Sequence, residues 1–225
     1  MAKRKIQDAT PDNFFGLTLT EEQEKMRNAI MDHPNNLITI VPSRSGSGKT
    51  TVALACAKLL VDTKGFDCLR YIFATPFEGR LGFMPGSVEM KETRYIRPLF
   101  GALETIRERP ESAIEQMANV DFMKCGLPWI KAYSLNFIRG ETYRNCVVFL
   151  DEAQNSTQME LRTLLSRCDD SCVIIVAGDL NQCDIGINCS GFQKCIDVYK
   201  DKDFATICNL TKNFRGLVSS TAEEI

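Results

Sequence analysis

The run Ser43-Arg44-Ser45-Gly46-Ser47-Gly48-Lys49-Thr50, followed by Thr51, joins an apolar segment, Leu37 to Val41, to an apolar helix expected over Thr51 to Leu60. Gly46 and Gly48 let the backbone turn its N–H groups inward with no Cβ in the way. Those groups and the start of the helix form a cradle for an anion. The spacing is that of a phosphate-binding loop, and residues 43–51 are its candidate contacts for ATP. In such a loop Lys49 reaches the β- and γ-phosphates, and Thr50 ligates Mg²⁺ through its hydroxyl. The usual pattern opens with glycine. Ser43 stands there instead and is expected to be tolerated, because Gly48-Lys49-Thr50 carry the phosphate chemistry.

A second group is acidic. Val147-Val148-Phe149-Leu150 reads as a buried strand that ends in Asp151-Glu152. Asp151 is placed to hold the shell of a magnesium ion, and Glu152 to orient and polarise an attacking water as general base. After the next apolar run comes Gly178-Asp179-Leu180-Asn181-Gln182. The amide of Gln182 is suited to sense a γ-phosphate.

These groups must converge, and the surrounding pattern supplies the frame. Short apolar runs at Leu37–Val41, Leu69–Ala74, Cys146–Leu150, Cys172–Ala177 and Phe204–Leu210 read as strands buried on both faces. Helical patterns lie between several of them, notably Gln158 to Arg167. Alternation of this kind predicts an α/β domain with a mostly parallel sheet flanked by helices. Thr20 before Glu21-Glu22-Gln23 predicts a helix start, and that helix should run to about Met31. The stretch 82–126 breaks the rhythm and reads as a helical insertion. Residues 1–16 read as loosely ordered, and 17–225 as one domain.

Composition agrees with a folded domain. The chain has 225 residues, 44% hydrophobic and 25% charged, with a net charge of −2. Collagen-like, low-complexity and disordered classes are excluded. There is no net basic field to announce nucleic acid, although a local patch is compatible with it. No apolar run reaches the roughly 18 residues of a membrane span, and no signal-type segment follows the basic start. The expected setting is the cytoplasm, with no membrane partner. The ten cysteines contain no Cys-x-x-Cys pair and are read as reduced structural thiols.

Further residues carry a family resemblance. They are Leu81-Gly82-Phe83-Met84-Pro85-Gly86, Tyr95-x-Arg97-Pro98-Leu99, Phe137-Ile138-Arg139-Gly140-x-Thr142, Asp151-Glu152-Ala153-Gln154-Asn155, Gly178-Asp179-x-x-Gln182, Ser190-Gly191 and Asn213-Phe214-Arg215-x-x-Val218. In this order, from about Thr20 to Val218, they resemble PhoH-like ATPases, most closely the short single-domain members of phages and other viruses. The resemblance implies a RecA-like core, Mg²⁺-dependent ATP hydrolysis, action on RNA or single-stranded nucleic acid, and a ring, here a hexamer. It implies that Gln23 reads adenine and that Arg215 steadies transition-state charge. It implies that Gln154 sits by the γ-phosphate or couples it to the nucleic-acid face. Arg167 is a candidate for reaching a neighbouring subunit's site, a solvated helix arginine being the alternative. Where relatives often have Arg-Pro after the second strand, this chain has Ala74-Thr75-Pro76-Phe77.

Candidate contacts to nucleic-acid phosphates are Arg94, Lys131, Arg139 and Arg144, with Thr75 on the same face. Three other readings remain open at this point: an ATP-binding scaffold with little turnover, a nucleoside kinase of the type II thymidine kinase class, and a GTPase-type switch. The kinase class usually carries Cys-x-x-Cys pairs absent here. The switch class needs a lysine that Asn181-Gln182-Cys183-Asp184 lacks.

Overall fold

The structure, a computed structural model, describes residues 14–74, 88–115 and 128–222. Among them are six strands: β1 Ile38–Pro42, β2 Leu69–Phe73, β3 Ile130–Ser134, β4 Val147–Asp151, β5 Val173–Gly178 and β6 Ala205–Ile207. They form a single sheet in the order β3-β2-β4-β5-β1-β6, and every pairing is parallel. The helices are α1 Glu21–Met31, α2 Lys49–Lys64, α3 Val88–Thr105, α4 Pro110–Ala113, α5 Gln158–Leu165, α6 Phe192–Tyr199 and α7 Leu217–Ala222.

Side chains leave a strand on alternate faces, and here both faces are covered. Val147 and Phe149 of β4 join one core with Tyr71, Phe73, Met26 and the body of α2. Val148 and Leu150 join the other with Ile72, Leu161, Leu164 and Phe192. This explains why the strands read as continuous apolar runs. Helix α2 is buried at every position from Val52 to Leu60, being held between the sheet, α1 and α3. Its last turn closes at Gly65, which adopts φ 77°.

The chain leaves β1 for β2 by crossing β5 and β4, and it returns later to fill the gap. The ends of β4, β5 and β1 therefore lie side by side, at the point where a doubly wound sheet opens a crevice. Strand β5 separates the phosphate-binding loop from the acidic strand end, and the loop after β5 lies between them.

Some expectations shift. The sequence pattern does not announce strand β3; it is the sheet's edge, and its Ile-Lys-Ala-Tyr-Ser alternates buried and half-buried residues. Helix α6 is likewise an addition of the fold. Of the expected insertion, α3 and α4 are seen, while Leu81 to Gly86, Thr75 and residues 116–127 lie outside the described residues. The same holds for residues 1–13. Phe14 is buried in the core beside α1, so the domain begins to pack before residue 17.

Phe149 is fully buried, with its ring edge-on to Tyr71 at 5.5 Å. Phe149→Ala is expected to cost about 3–5 kcal/mol, measured by urea unfolding of the two chains.

Candidate nucleotide-binding site

Ser43 continues β1. Its N–H donates to the Gly178 carbonyl at 2.9 Å, and it bridges Leu210. Its φ is not positive, so the position is one that any residue can occupy. That is the physical reason serine stands where glycine is usual. Gly46 and Gly48 do need to be glycine, with φ 74° and 78°. A Cβ on Gly46 would lie 2.8 Å from Asn213 Oδ1 and 2.9 Å from Arg215 Cγ. One on Gly48 would lie 2.9 Å from Gln23 Nε2.

Between these turns the backbone faces inward. Ser45 N–H donates to Asp179 Oδ2 at 2.9 Å. From Gly46 through Thr51 the N–H groups donate to no acceptor among the described residues. The hydroxyls of Ser43 and Ser47 are buried and likewise lack partners. Buried donors are normally satisfied, so this cradle fits a ligand with several acceptor oxygens. Lys49 opens α2, is only 8% exposed, and makes no ion pair among the described residues. Arg44 is exposed, and Thr51 is half-buried in the first turn of α2.

The acidic end is held rigidly. Asp151 Oδ2 accepts from the Thr50 hydroxyl at 3.0 Å and from the Tyr71 hydroxyl at 3.1 Å. Its Oδ1 accepts from Glu152 N–H at 3.0 Å. Thr50 spends its one proton on Asp151, which leaves its lone pairs for a cation. Glu152 feels the charges of Asp151, Asp179 and Lys49, and the Thr50–Asp151 pair is the part of the site that fits a divalent ion.

Glu152 follows at φ 56°, a strained left-handed turn. Its Oε2 accepts from Gln154 Nε2 at 2.7 Å. Gln154 is almost fully buried. Its Nε2 also donates to the Gln182 carbonyl at 3.2 Å, and its Oε1 accepts from Asp179 N–H at 2.9 Å. Burial first, and the charge of Asp151 second, push the Glu152 carboxyl above its ordinary range; Lys49 and the Gln154 bond pull the other way. Tyr71 is raised well above its ordinary value by burial and by Asp151, so it remains a donor.

The other sequence candidates divide. Arg215 Nη1 donates to Ser45 Oγ at 2.7 Å, and Phe214 N–H donates to the Gly46 carbonyl, so the closing motif lies over the loop. The Gln182 side chain is exposed at the same edge. Gln23 is 6% exposed, and both ends of its amide are engaged: Oε1 accepts from Thr20 N–H and Nε2 donates to the Ser47 carbonyl. It thereby ties the capped start of α1 to the loop. Arg167 lies past α5, before the start of β5, and donates to the Glu141 carbonyl of its own chain at 3.3 Å. That places it at the opposite end of the sheet from the loop. Lys131 pairs with Glu115 and Arg144 with Asp169. Arg139 is exposed, and the side chain of Arg94 lies outside the described residues.

Sequence reasoning gives no role to Tyr71, which is hidden in an apolar strand, or to Asp179 as the acceptor for Ser45. Asp179 has a signal, since it lies in the Gly-Asp-x-x-Gln run. Among the described residues no helix is long and apolar enough to cross a membrane.

A parallel sheet with this loop after β1 and this acidic end on β4 is the P-loop NTPase α/β fold. Solved structures agree on the fold. The UvsW helicase of bacteriophage T4 superposes with a TM-score of 0.55 at 9% identity, covering 86% of this chain and 60% of that one. The large terminase of a thermophilic bacteriophage gives 0.56 at 12% identity, covering 92% of this chain and 50% of that one. Within that class the chain belongs to the PhoH-like protein family, whose model matches residues 17–219. A PhoH-like protein of Mycobacterium bovis is 33% identical over 180 residues, which is 78% of this chain and 48% of that relative. Protein PhoH of Escherichia coli K12 is 30% identical over 173 residues, 75% and 46%. A PhoH-like protein of Synechocystis is 33% identical over 199 residues, 86% and 56%. The chain thus spans about half the length of these relatives.

The raised carboxyl of Glu152 has a consequence for stability. The folded chain holds this proton more tightly than the unfolded chain does. The ionised group therefore costs stability above that window, and the cost disappears as pH falls below the ordinary carboxylate value. In Glu152→Gln the amide oxygen can still accept from Gln154. The variant is expected to melt higher than the unaltered chain at about pH 8, with the gain shrinking towards about pH 4. Thermal unfolding across that range checks this; a difference independent of pH would contradict it.

Proposed function

We propose that the chain binds and hydrolyses ATP with Mg²⁺, and couples turnover to single-stranded nucleic acid, RNA in the first instance, as a hexameric ring. The observation that carries the ATP reading is the convergence at one sheet edge of an unsatisfied N–H cradle, a buried lysine and a hydrogen-bonded Thr50–Asp151 pair beside Glu152.

In this reading the phosphates lie on residues 43–51, with Lys49 against the β- and γ-oxygens. Thr50 and the Asp151 shell would hold a magnesium ion, which would supply neutralisation of phosphate charge. Glu152 takes the proton of the attacking water and aligns it, its Oε2 being set by Gln154. Lys49, Gln182 and Arg215 stabilise the charge that spreads over the transferred group. Arg215 already contacts Ser45 through its guanidinium. Gln23 supports the loop through Ser47, and its amide keeps a second N–H and a second lone pair with which to read adenine.

Nucleic-acid coupling rests on a narrower set than the sequence offers, because Lys131 and Arg144 are paired with carboxylates. Phe137, 57% exposed, lies on the turn that leaves the carboxyl end of β3, and exposed Arg139 follows two residues later. An exposed ring beside an arginine suits stacked bases and a phosphate. One structural neighbour is named a helicase, which favours this partner class.

Glu152→Gln is expected to keep ATP affinity and to lose turnover by about 100- to 10,000-fold. Equal turnover would remove the base assignment. Phe137→Ala with Arg139→Ala is expected to weaken single-stranded RNA binding by about tenfold or more while turnover without RNA is unchanged. RNA stimulation identical to the unaltered chain would move the nucleic-acid face elsewhere.

A further inference from the structure

Three of the described cysteines occupy one row of the sheet. Cys68 precedes β2, Cys146 precedes β4 and Cys172 precedes β5, each by one residue. Leu69 is the partner of Val147 in register, and Val147 is the partner of Val173. The three cysteines therefore lie side by side at the amino end of the sheet. All three are free thiols buried in the second core. The nucleotide site lies at the other end of the same strands and uses none of them.

Within this row one pair is in contact. Cys146 Sγ and Cys172 Sγ are 3.9 Å apart. Neighbouring strands run about 4.8 Å apart, inside the range of about 4.4–6.8 Å between Cα atoms that a disulfide spans. Both side chains enter the same core, so the sulfurs can meet by turning about their own Cα–Cβ bonds while the strands stay paired. The backbone is fixed on either side of the pair. Val173 N–H donates to the Cys146 carbonyl at 3.2 Å, and Asn145 N–H donates to the Ser171 hydroxyl at 2.7 Å.

The contact also makes the two thiols unequal. The Cys146 thiol donates to the Cys172 sulfur, which lowers the Cys172 thiol below its ordinary value against the effect of burial. The same bond, together with burial, pushes the Cys146 thiol far up. Cys172 is thus the nucleophile of the pair. The residues just before the two thiols, Asn145 and Ser171, are exposed. The pair lies one residue from solvent, within reach of a small oxidant.

We propose that Cys146 and Cys172 form an oxidation site, at which hydrogen peroxide converts the dithiol reversibly to a disulfide joining the starts of β4 and β5. The Cys172 sulfur attacks one peroxide oxygen, and the O–O bond breaks. The sulfur is oxidised by two electrons to a sulfenic acid, and its proton leaves with the second oxygen as water. The Cys146 sulfur then attacks the Cys172 sulfur, and the S–O bond breaks. The hydroxyl leaves with the Cys146 proton as a second water. One hydrogen peroxide is reduced to two waters as two thiols become one disulfide, and a dithiol reductant restores the thiols.

The test treats the full chain with hydrogen peroxide in the absence of denaturant. Remaining thiols are alkylated, the chain is digested without reduction, and the peptides are mapped by mass spectrometry. The expected product is a linked pair of peptides holding Cys146 and Cys172, lighter by two hydrogen atoms than the separate thiol peptides and lost on treatment with dithiothreitol. Cys146→Ser is expected to stop at a sulfenic acid on Cys172, captured by dimedone, and Cys172→Ser to leave Cys146 as a thiol. Links from Cys172 to Cys168 or from Cys146 to Cys68 in place of the expected one overturn the site. So do thiols at 146 and 172 that survive while the exposed Cys189 is oxidised. A sulfenic acid on Cys146 in Cys172→Ser overturns the order of attack. The linked pair is read on the unaltered chain, so this result stands whether or not a variant folds.

Discussion

The close approach of Gln154 to the peptide between Gly178 and Asp179 organises the sheet edge that carries the candidate site. Gln154 Oε1 accepts from Asp179 N–H at 2.9 Å. A Cβ on Gly178 would fall 2.7 Å from that same oxygen and 3.0 Å from the Phe192 ring, so the contact exists only because residue 178 has no side chain. Asp179, fixed in this way, reaches across to Ser45 in the phosphate loop. Gln154 in turn reaches Glu152. One buried amide thus links groups carried by β1, β4 and β5. Strand order explains its place: β5 stands between the loop and the acids, so the residues after β5 add a second link to the direct Thr50–Asp151 bond.

The electrostatics follow from the same crowding. Glu152 lies in a left-handed turn, with its carboxyl raised by burial and by its acidic neighbours. The charged form of Glu152 is disfavoured even with Lys49 beside it, because burial and Asp151 outweigh the lysine and the Gln154 bond. Strain of this kind persists where the surroundings over-determine it. Here Asp151 is held by three donors, and Gln154 by two contacts to the loop after β5.

The legible parts of the sequence are those where local chemistry demands a residue type. Strands β1, β2, β4 and β5 can be read because a parallel strand covered on both faces must be apolar throughout. The phosphate loop can be read because φ near +75° at positions 46 and 48 restricts the choice to glycine. The edge strand β3 escapes, because Lys131 and Tyr133 interrupt the run where one side of the strand meets solvent. Tyr71 escapes for the opposite reason. It lies in an apolar run and looks like core, yet its hydroxyl donates to Asp151. Resemblance makes Gln23 a base contact; in the fold its amide also ties α1 to the Ser47 carbonyl, a partnership between residues far apart in sequence that no local pattern records. Ser43 looks like a defect in the motif only because the motif is written in residues; in the fold its place is an ordinary sheet position.

The central claim is that these groups form a working ATPase that answers to nucleic acid. The most direct measurement is phosphate release from ATP by the purified chain with Mg²⁺, with and without single-stranded RNA. The account predicts turnover that depends on Mg²⁺ and rises when RNA is added. Tight ATP binding with no phosphate release under either condition would contradict it and leave a nucleotide-binding scaffold in its place.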